Sequence, residues 1–202
     1  MIAIIDYHVG NLGSVTNACK RQGMDVVVTN DPEVIRQADG IILPGVGAFP
    51  AAMSNLEACH LVPVLNEVKD KGTPILGICI GMQLLFEEGS ENGYTKGLGF
   101  LKGSVDKMEV DAKLPHMGWN QLVIKQSHPL LKYVEEGDYV YFVHSYSAHC
   151  PEDEIGAYVN YGGKKITAFV SKDNVMGTQF HPGKRGEIGK KLLRAFKELV
   201  AC

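Results

Sequence analysis

Four short apolar runs punctuate the first eighty residues of this chain, and each is followed by a stretch with helical spacing. The runs are Ile2–Asp6, Asp25–Thr29, Gly40–Leu43 and Thr73–Ile78. Between them lie Ser14–Gln22, closed by Gly23, a short helix opened by Asp31 and Pro32, and a longer helical stretch to about Lys71 that is interrupted near Pro63. Asp31 suits an N-cap and Pro32 the first helical position. Strands separated by helices of this length demand βαβ units, hence a parallel sheet covered by helices on both faces. The expected fold is therefore α/β, three-layered, mostly parallel and flavodoxin-like.

After Gly89 the texture changes. Strand-like runs come close together at Ser104–Val110, Gln121–Lys125, Tyr139–Val143, Ile155–Val159, Lys165–Val170 and Val175–Phe180. They predict mixed or antiparallel strands extending the sheet. Apolar residues at Ile188, Leu192, Leu193, Phe196 and Val200 predict a final helix over Glu187–Val200. No linker or repeat interrupts residues 1–202, so a single domain is expected, and 202 residues suffice for a substantial core. A net charge of −3 gives no basic surface for nucleic acid. No apolar run reaches the roughly 18 residues of a membrane span. MIAIIDYHVGN lacks the basic start of a signal peptide. Five cysteines without a CxxC pair read as reduced thiols in a cytoplasm.

The stretch Pro74–Phe86, PILGICIGMQLLF, runs from a buried strand through Gly77-Ile78-Cys79-Ile80-Gly81 into a helix, here expected over Gly81–Glu88. This is the cysteine form of the G-x-S-x-G nucleophile elbow. The turn exposes the central side chain above the sheet. The helix N-terminus beneath should lower the thiol pKa. The Ile80 amide is then placed to meet an oxyanion formed beside Cys79. A buried structural cysteine is the plainer reading, and the flanking glycines weigh against it. PGVGAF (Pro44–Phe49) ends a neighbouring strand, and the amide of Val46 or Gly47 is a candidate second oxyanion donor. His181, in QFHPGKRG, stands where a strand gives way to a loop. His144, in YFVHSYS, ends another strand, with a role or with none. Trp119 and Met117 in HMGWN read by default as core. GNLGS lacks the G-x-G-x-x-G pattern, so no dinucleotide cofactor is expected. The histidines lack ligand spacing, so no metal is expected either.

Taken in order, PGVGAF, GICIGMQLLFE, HMGWN, YFVHSYS and GTQFHP resemble a class I glutamine amidotransferase, over essentially the whole chain. HMGWN and YFVHSY make it most similar to the glutaminase subunits of imidazole glycerol phosphate synthases, in histidine biosynthesis. The resemblance implies that Cys79 attacks the side-chain amide of glutamine, that His181 handles the proton, and that Ile80 and Val46 hold the oxyanion. It implies substrate contacts from Gly47, Gln83, Glu91, His144, Ser145 and Tyr146, with Glu91 facing the α-ammonium. It further implies a heterodimer with a (β/α)8-barrel cyclase that receives ammonia through a channel. Asn11, Trp119, Tyr141 and Lys184 match positions at that interface, and the Val46 loop is a candidate switch.

Two positions depart, Gly183 where the family has the acid and Arg185 where it has a small polar residue. The family reads H-P-E-K-S, and this chain reads His181-Pro182-Gly183-Lys184-Arg185. The acid that orients the imidazole is missing. In serine triads its loss lowers kcat by about 10⁴. Cysteine depends less on its base, and a loss of about 10–10³ is expected here. The chain then reads as a weakened glutaminase, with His181 oriented by a backbone carbonyl, water or Glu187. The alternatives are a silent subunit that mainly binds the cyclase, a glutaminase for another acceptor, or an altered residue at position 183.

Overall fold

The alternation of the first half is realised element by element in the computed structural model, which describes residues 1–184 and 186–202. β1 (Ile2–Ile5) leads to α1 (Leu12–Arg21), and β2 (Val26–Thr29) to α2 (Pro32–Gln37). β3 (Gly40–Leu43) precedes α3 (Phe49–Ala58) and α4 (Val62–Lys71), and β4 (Ile75–Ile78) runs into the short α5 (Ile80–Leu84). Asp31 caps α2, its carboxylate accepting the Glu33 N–H at 2.9 Å. Pro63 falls in the first turn of α4, where a missing N–H is tolerated.

The remaining elements are β5 (Phe86–Gly89), β6 (Thr95–Lys96), β7 (Leu101–Lys107), β8 (His116–Gln121), β9 (Val123–Ile124), β10 (Tyr139–His144), β11 (Tyr146–His149), β12 (Ile155–Tyr161), β13 (Lys164–Lys172), β14 (Val175–Thr178) and α6 (Glu187–Val200). The helix expected over Gly81–Glu88 is thus shorter, and its second half is a strand. Phe86 pairs with Leu101, and Glu88 pairs with both Ser104 and Lys96. These partners are distant enough in sequence that periodicity could not show them.

Eight strands form the main sheet in the order β2-β1-β3-β4-β14-β13-β12-β9. From β2 to β14 the pairing is parallel, in the 2-1-3-4 order of flavodoxin-like sheets. Beyond β14 it is antiparallel. Only β9, β12 and β13 extend the sheet as mixed or antiparallel additions. β14 joins the parallel set, β8 and β10 form a separate ribbon, and β5, β6, β7 and β11 form a four-stranded sheet.

Side-chain alternation along the central strands divides the core in two. Ile2, Ile4, Ile42, Leu76 and Ile78 pack with Val15 of α1 and with Leu192 and Phe196 of α6. Ala3, Ile5, Ile41, Leu43 and Ile75 pack with Ile35, Leu56 and Leu65 of α2, α3 and α4 on the other face. Among the described residues no helix is long and apolar enough to cross a membrane. One pairing positions the site: β14 lies parallel to β4 with Thr178 opposite Ile78. The residues just after both strands, Cys79 and Gln179–His181, therefore emerge together at the carboxyl edge of the sheet.

Candidate active site

Cys79 occupies the turn between β4 and α5 with φ +57° and ψ −115°. A β-carbon makes such a conformation costly, and it persists where surrounding contacts over-determine it. Those contacts are visible. A β-carbon on Gly77 would lie 2.7 Å from the Gly81 oxygen, and one on Gly81 only 1.8 Å from the Leu43 oxygen. Both glycines of the elbow are needed for close approach. Gly45 is constrained likewise, since a β-carbon there would meet the Gly81 nitrogen at 2.7 Å. The Tyr7 hydroxyl donates to the Pro44 carbonyl and ties the start of the PGVG loop to the end of β1. The Cys79 N–H donates to the Thr178 oxygen at 2.8 Å.

A cavity of about 430 Å³ opens over the elbow, lined by Val46, Gly47, Cys79, Ile80, Gln83, Glu91, Pro115, Val143, His144, Ser145, Tyr146 and His181. Every residue named above for chemistry or for glutamine lies on this one surface. They come from five separate stretches of chain. A larger cavity of about 610 Å³ lies elsewhere, between β7, β11, β12 and β13, and contains none of them. Glu91 accepts the Phe49 N–H at 3.1 Å through Oε2 at the start of α3. His144 donates or accepts at both ring nitrogens, to the Tyr146 oxygen and to His116, each at 2.9 Å.

The expected lowering of the thiol pKa is overturned. Burial pushes the Cys79 thiol up to about 11, although the Ile80 amide and the Gln179 side chain pull it back. α5 has five residues, too short for a dipole that offsets desolvation. Burial, reinforced by Lys184, lowers the His181 pKa. At neutral pH the pair is a neutral thiol beside a neutral imidazole.

His181 is 7% exposed, and its Nδ1 is buried with no hydrogen-bond partner among the described residues. Glu187 does not supply one, because it is exposed and pairs with Lys190 at 2.7 Å. No backbone carbonyl of the described residues supplies one either. Gly183 lies beside a cavity of about 470 Å³ lined also by Arg21, Lys184 and Lys190. Arg185 lies outside the described residues. Among those described, no group of three or more His, Cys, Asp or Glu is placed to hold a metal ion.

Trp119 is not core. It is 51% exposed, as is Met117 at 61%, because alternation along β8 turns both outward while His116 faces in. Trp119 meets Tyr141 edge-on at 5.6 Å, and Lys184 Nζ stands 5.1 Å from the Tyr141 ring centroid. Asn11 is exposed just before α1 with φ +74°, and no hydrogen bond joins it to these three. Gln179 escaped the sequence reading as a site residue. Its signal was its place two residues before His181, in the stretch that leaves β14.

The family model for Glutamine amidotransferase class-I matches residues 3–199. The chain is 54% identical over 199 residues to the imidazole glycerol phosphate synthase subunit HisH of Lactococcus lactis, covering 98% of each. It is 52% identical over 200 residues to the HisH subunit of Bacillus cereus, covering 99% of this chain and 95% of the relative. Among solved structures, one titled as a glutamine amidotransferase superposes with TM-score 0.79 at 18% identity, covering all of both chains. PurLQS of Thermotoga maritima superposes with TM-score 0.75 at 19% identity, covering 98% of this chain and 97% of that one. At those identities the likeness concerns the fold.

Proposed function

The chain belongs to the class-I glutamine amidotransferase family, and from that premise we infer how its residues act. It functions as the glutaminase subunit of imidazole glycerol phosphate synthase, in histidine biosynthesis. Glutamine lies in the 430 Å³ cavity with its α-ammonium toward Glu91. His181 accepts the thiol proton as the Cys79 sulfur bonds to the amide carbon. Starting from a neutral pair, proton transfer accompanies attack, since a free thiolate is costly in this buried place. The tetrahedral oxygen is held by the Ile80 amide and, after a turn of the loop, by that of Val46. Collapse returns the proton to the leaving nitrogen and releases ammonia. Water then attacks the thioester, and glutamate leaves. Gly47, Gln83, His144, Ser145 and Tyr146 hold the substrate.

The observation that carries this reading is the convergence of Cys79, His181 and Glu91 on one cavity at a strained elbow. The Trp119–Tyr141–Lys184 cluster, with Asn11, docks the barrel-shaped cyclase, which takes the ammonia through a channel. Residues 1–202 act as one amidotransferase domain. The five free cysteines suit a cytoplasmic enzyme.

The Nδ1 of His181, without a partner among the described residues, favours a second reading, a subunit slowed or silenced at Gly183. A neutral imidazole without an acceptor at Nδ1 is held neither in orientation nor in the tautomer that leaves Nε2 free. The test is glutamine hydrolysis by the chain saturated with cyclase and nucleotide ligand, beside Gly183→Glu. Trapping a glutamyl thioester on Cys79 in either protein supports the glutaminase. Failure of both to form an adduct or to turn over would sink it.

A further inference from the structure

One carbonyl oxygen beneath the cavity sets the direction of a chain of buried hydrogen bonds. The Tyr146 oxygen can only accept. It faces His144 Nδ1 at 2.9 Å and Gln83 Nε2 at 3.4 Å, so both of these nitrogens carry the hydrogen. Gln83 is thereby fixed with its amide nitrogen inward. The second hydrogen of that nitrogen goes to Gln179 Oε1 at 3.1 Å. Gln179 is then also fixed, oxygen toward Gln83, and its Nε2 is left facing the Cys79 sulfur at 3.8 Å. Flipping both amides would bring the Gln83 oxygen against the Tyr146 oxygen, acceptor to acceptor. On the other side, neutral His144 with hydrogen at Nδ1 accepts at Nε2. His116 therefore donates from Nδ1 at 2.9 Å and accepts at Nε2 from the Asn120 amide at 3.3 Å.

We propose that Gln179 is a catalytic residue of this site. Its Nε2–H donates to the Cys79 sulfur, and the Tyr146 carbonyl, acting through Gln83, holds it in the one orientation that can do so. Gln179 is 1% exposed and does not line the cavity, so it does not touch substrate. What it touches is the atom that becomes negative when the thiol proton moves to His181. A hydrogen bond to a charged acceptor is stronger than one to a neutral acceptor, so this bond strengthens as charge develops. The Ile80 amide serves the same sulfur in the resting state and must also serve the oxyanion. Gln179 has no such second duty. The network also leaves Gln83 Oε1, on a cavity-lining side chain, as a buried acceptor without a partner among the described residues. The assignment of Gln179 deepens the glutaminase reading and rests on it for the word catalytic.

The test reads the thiol itself. Alkylation of Cys79 by iodoacetamide is followed against pH in the cyclase complex, for the parent, Gln179→Met and Gln179→Glu. Tyr7 near the thiol, and Glu91, His144 and His181 around the same cavity, are unchanged in all three. At a fixed mildly alkaline pH the Met variant should react roughly tenfold more slowly, from the low end for a hydrogen bond to a charged group. The Glu variant, with an anion facing the sulfur, should react more slowly still. If glutamine is hydrolysed, kcat should fall in the Met variant while KM holds. Gln83→Met, which frees the Gln179 amide while leaving it in place, should shift alkylation in the same direction by less. It also serves if Gln179→Met does not fold. An alkylation profile in Gln179→Met, or failing that Gln83→Met, that overlays the parent overturns the proposal. Because alkylation needs no turnover, a chain that never hydrolyses glutamine would refute the glutaminase reading and leave this measurement intact.

Discussion

The two halves of the active site are built to different standards. Around Cys79 nearly every neighbour is fixed: the elbow glycines touch backbone, Tyr7 holds Pro44, and the Tyr146 carbonyl orders two amides and two imidazoles. Around His181 little is fixed beyond the main chain, whose N–H donates to the Tyr141 oxygen at 3.2 Å. Its buried Nδ1 has no partner among the described residues, and the side chain that would supply one is reduced to hydrogen at Gly183. The sulfur side is held by contacts among strands of the central fold. The imidazole side depends on one side chain in one loop, and a single residue is enough to remove it.

The contrast can be broken most severely at the sulfur. Cys79→Ala should lower glutamine hydrolysis by about 10³–10⁵-fold, what remains of the ~10⁶ of an intact triad after the missing acid, without loosening the fold. Steady-state rates in the cyclase complex, with thermal denaturation alongside, check both parts. At the elbow the risk is to folding. Gly81→Ala places a β-carbon 1.8 Å from the Leu43 carbonyl oxygen, which is backbone and cannot swing aside. It should destabilise by at least the ~1–3 kcal/mol of an overpacked core, measurable by chemical denaturation.

On the imidazole side the change should be a gain. Gly183 does not have a positive φ, and a β-carbon there meets the rotatable Ser14 hydroxyl at 3.0 Å and the Ser14 backbone at an ordinary 3.5 Å. Gly183→Glu should therefore fold and raise kcat by about 10–10³-fold. Its pH profile should move as well. Burial and then Lys184 depress the His181 pKa, so the base form persists below the ordinary histidine range near 6.5. A carboxylate at position 183 favours the imidazolium and raises that pKa. The acid limb of kcat/KM should thus shift to higher pH in the variant, and an unmoved limb would mean that the new carboxylate does not reach the ring.

The smallest effect is expected at His116. His116→Asn retains a donor near the position of Nδ1 and should be nearly silent. His116→Phe leaves His144 Nε2 without its partner and should lose about 1–3 kcal/mol of stability by thermal or chemical denaturation. It should also raise KM for glutamine, because His144 and the Tyr146 carbonyl lose their fixed relation. The opposite order, with His116→Phe nearly silent and His116→Asn destabilised, would show that stacking on Phe142 and Tyr161, at 4.7 and 4.0 Å, and not the hydrogen bond, is what His116 contributes.

Much of this was present in the chain itself. Period and punctuation placed β1 to β4 and their helices, because a half-parallel sheet writes its layers into local hydrophobic spacing. The elbow was legible because the close approach at Gly77 and Gly81 admits no other residue, and the defect at Gly183 because a missing side chain needs no geometry to notice. What lay beyond reach was pairing at a distance. Periodicity made 81–88 one helix, and partners at Leu101 and Ser104 turned its end into β5. Only the placing of β14 against β4 set Gln179 and His181 beside a sulfur one hundred residues earlier. The thiol pKa, expected to fall, is raised because desolvation belongs to the assembled site and not to any motif. The amide that faces the sulfur was likewise decided in three dimensions, by a carbonyl that can only accept.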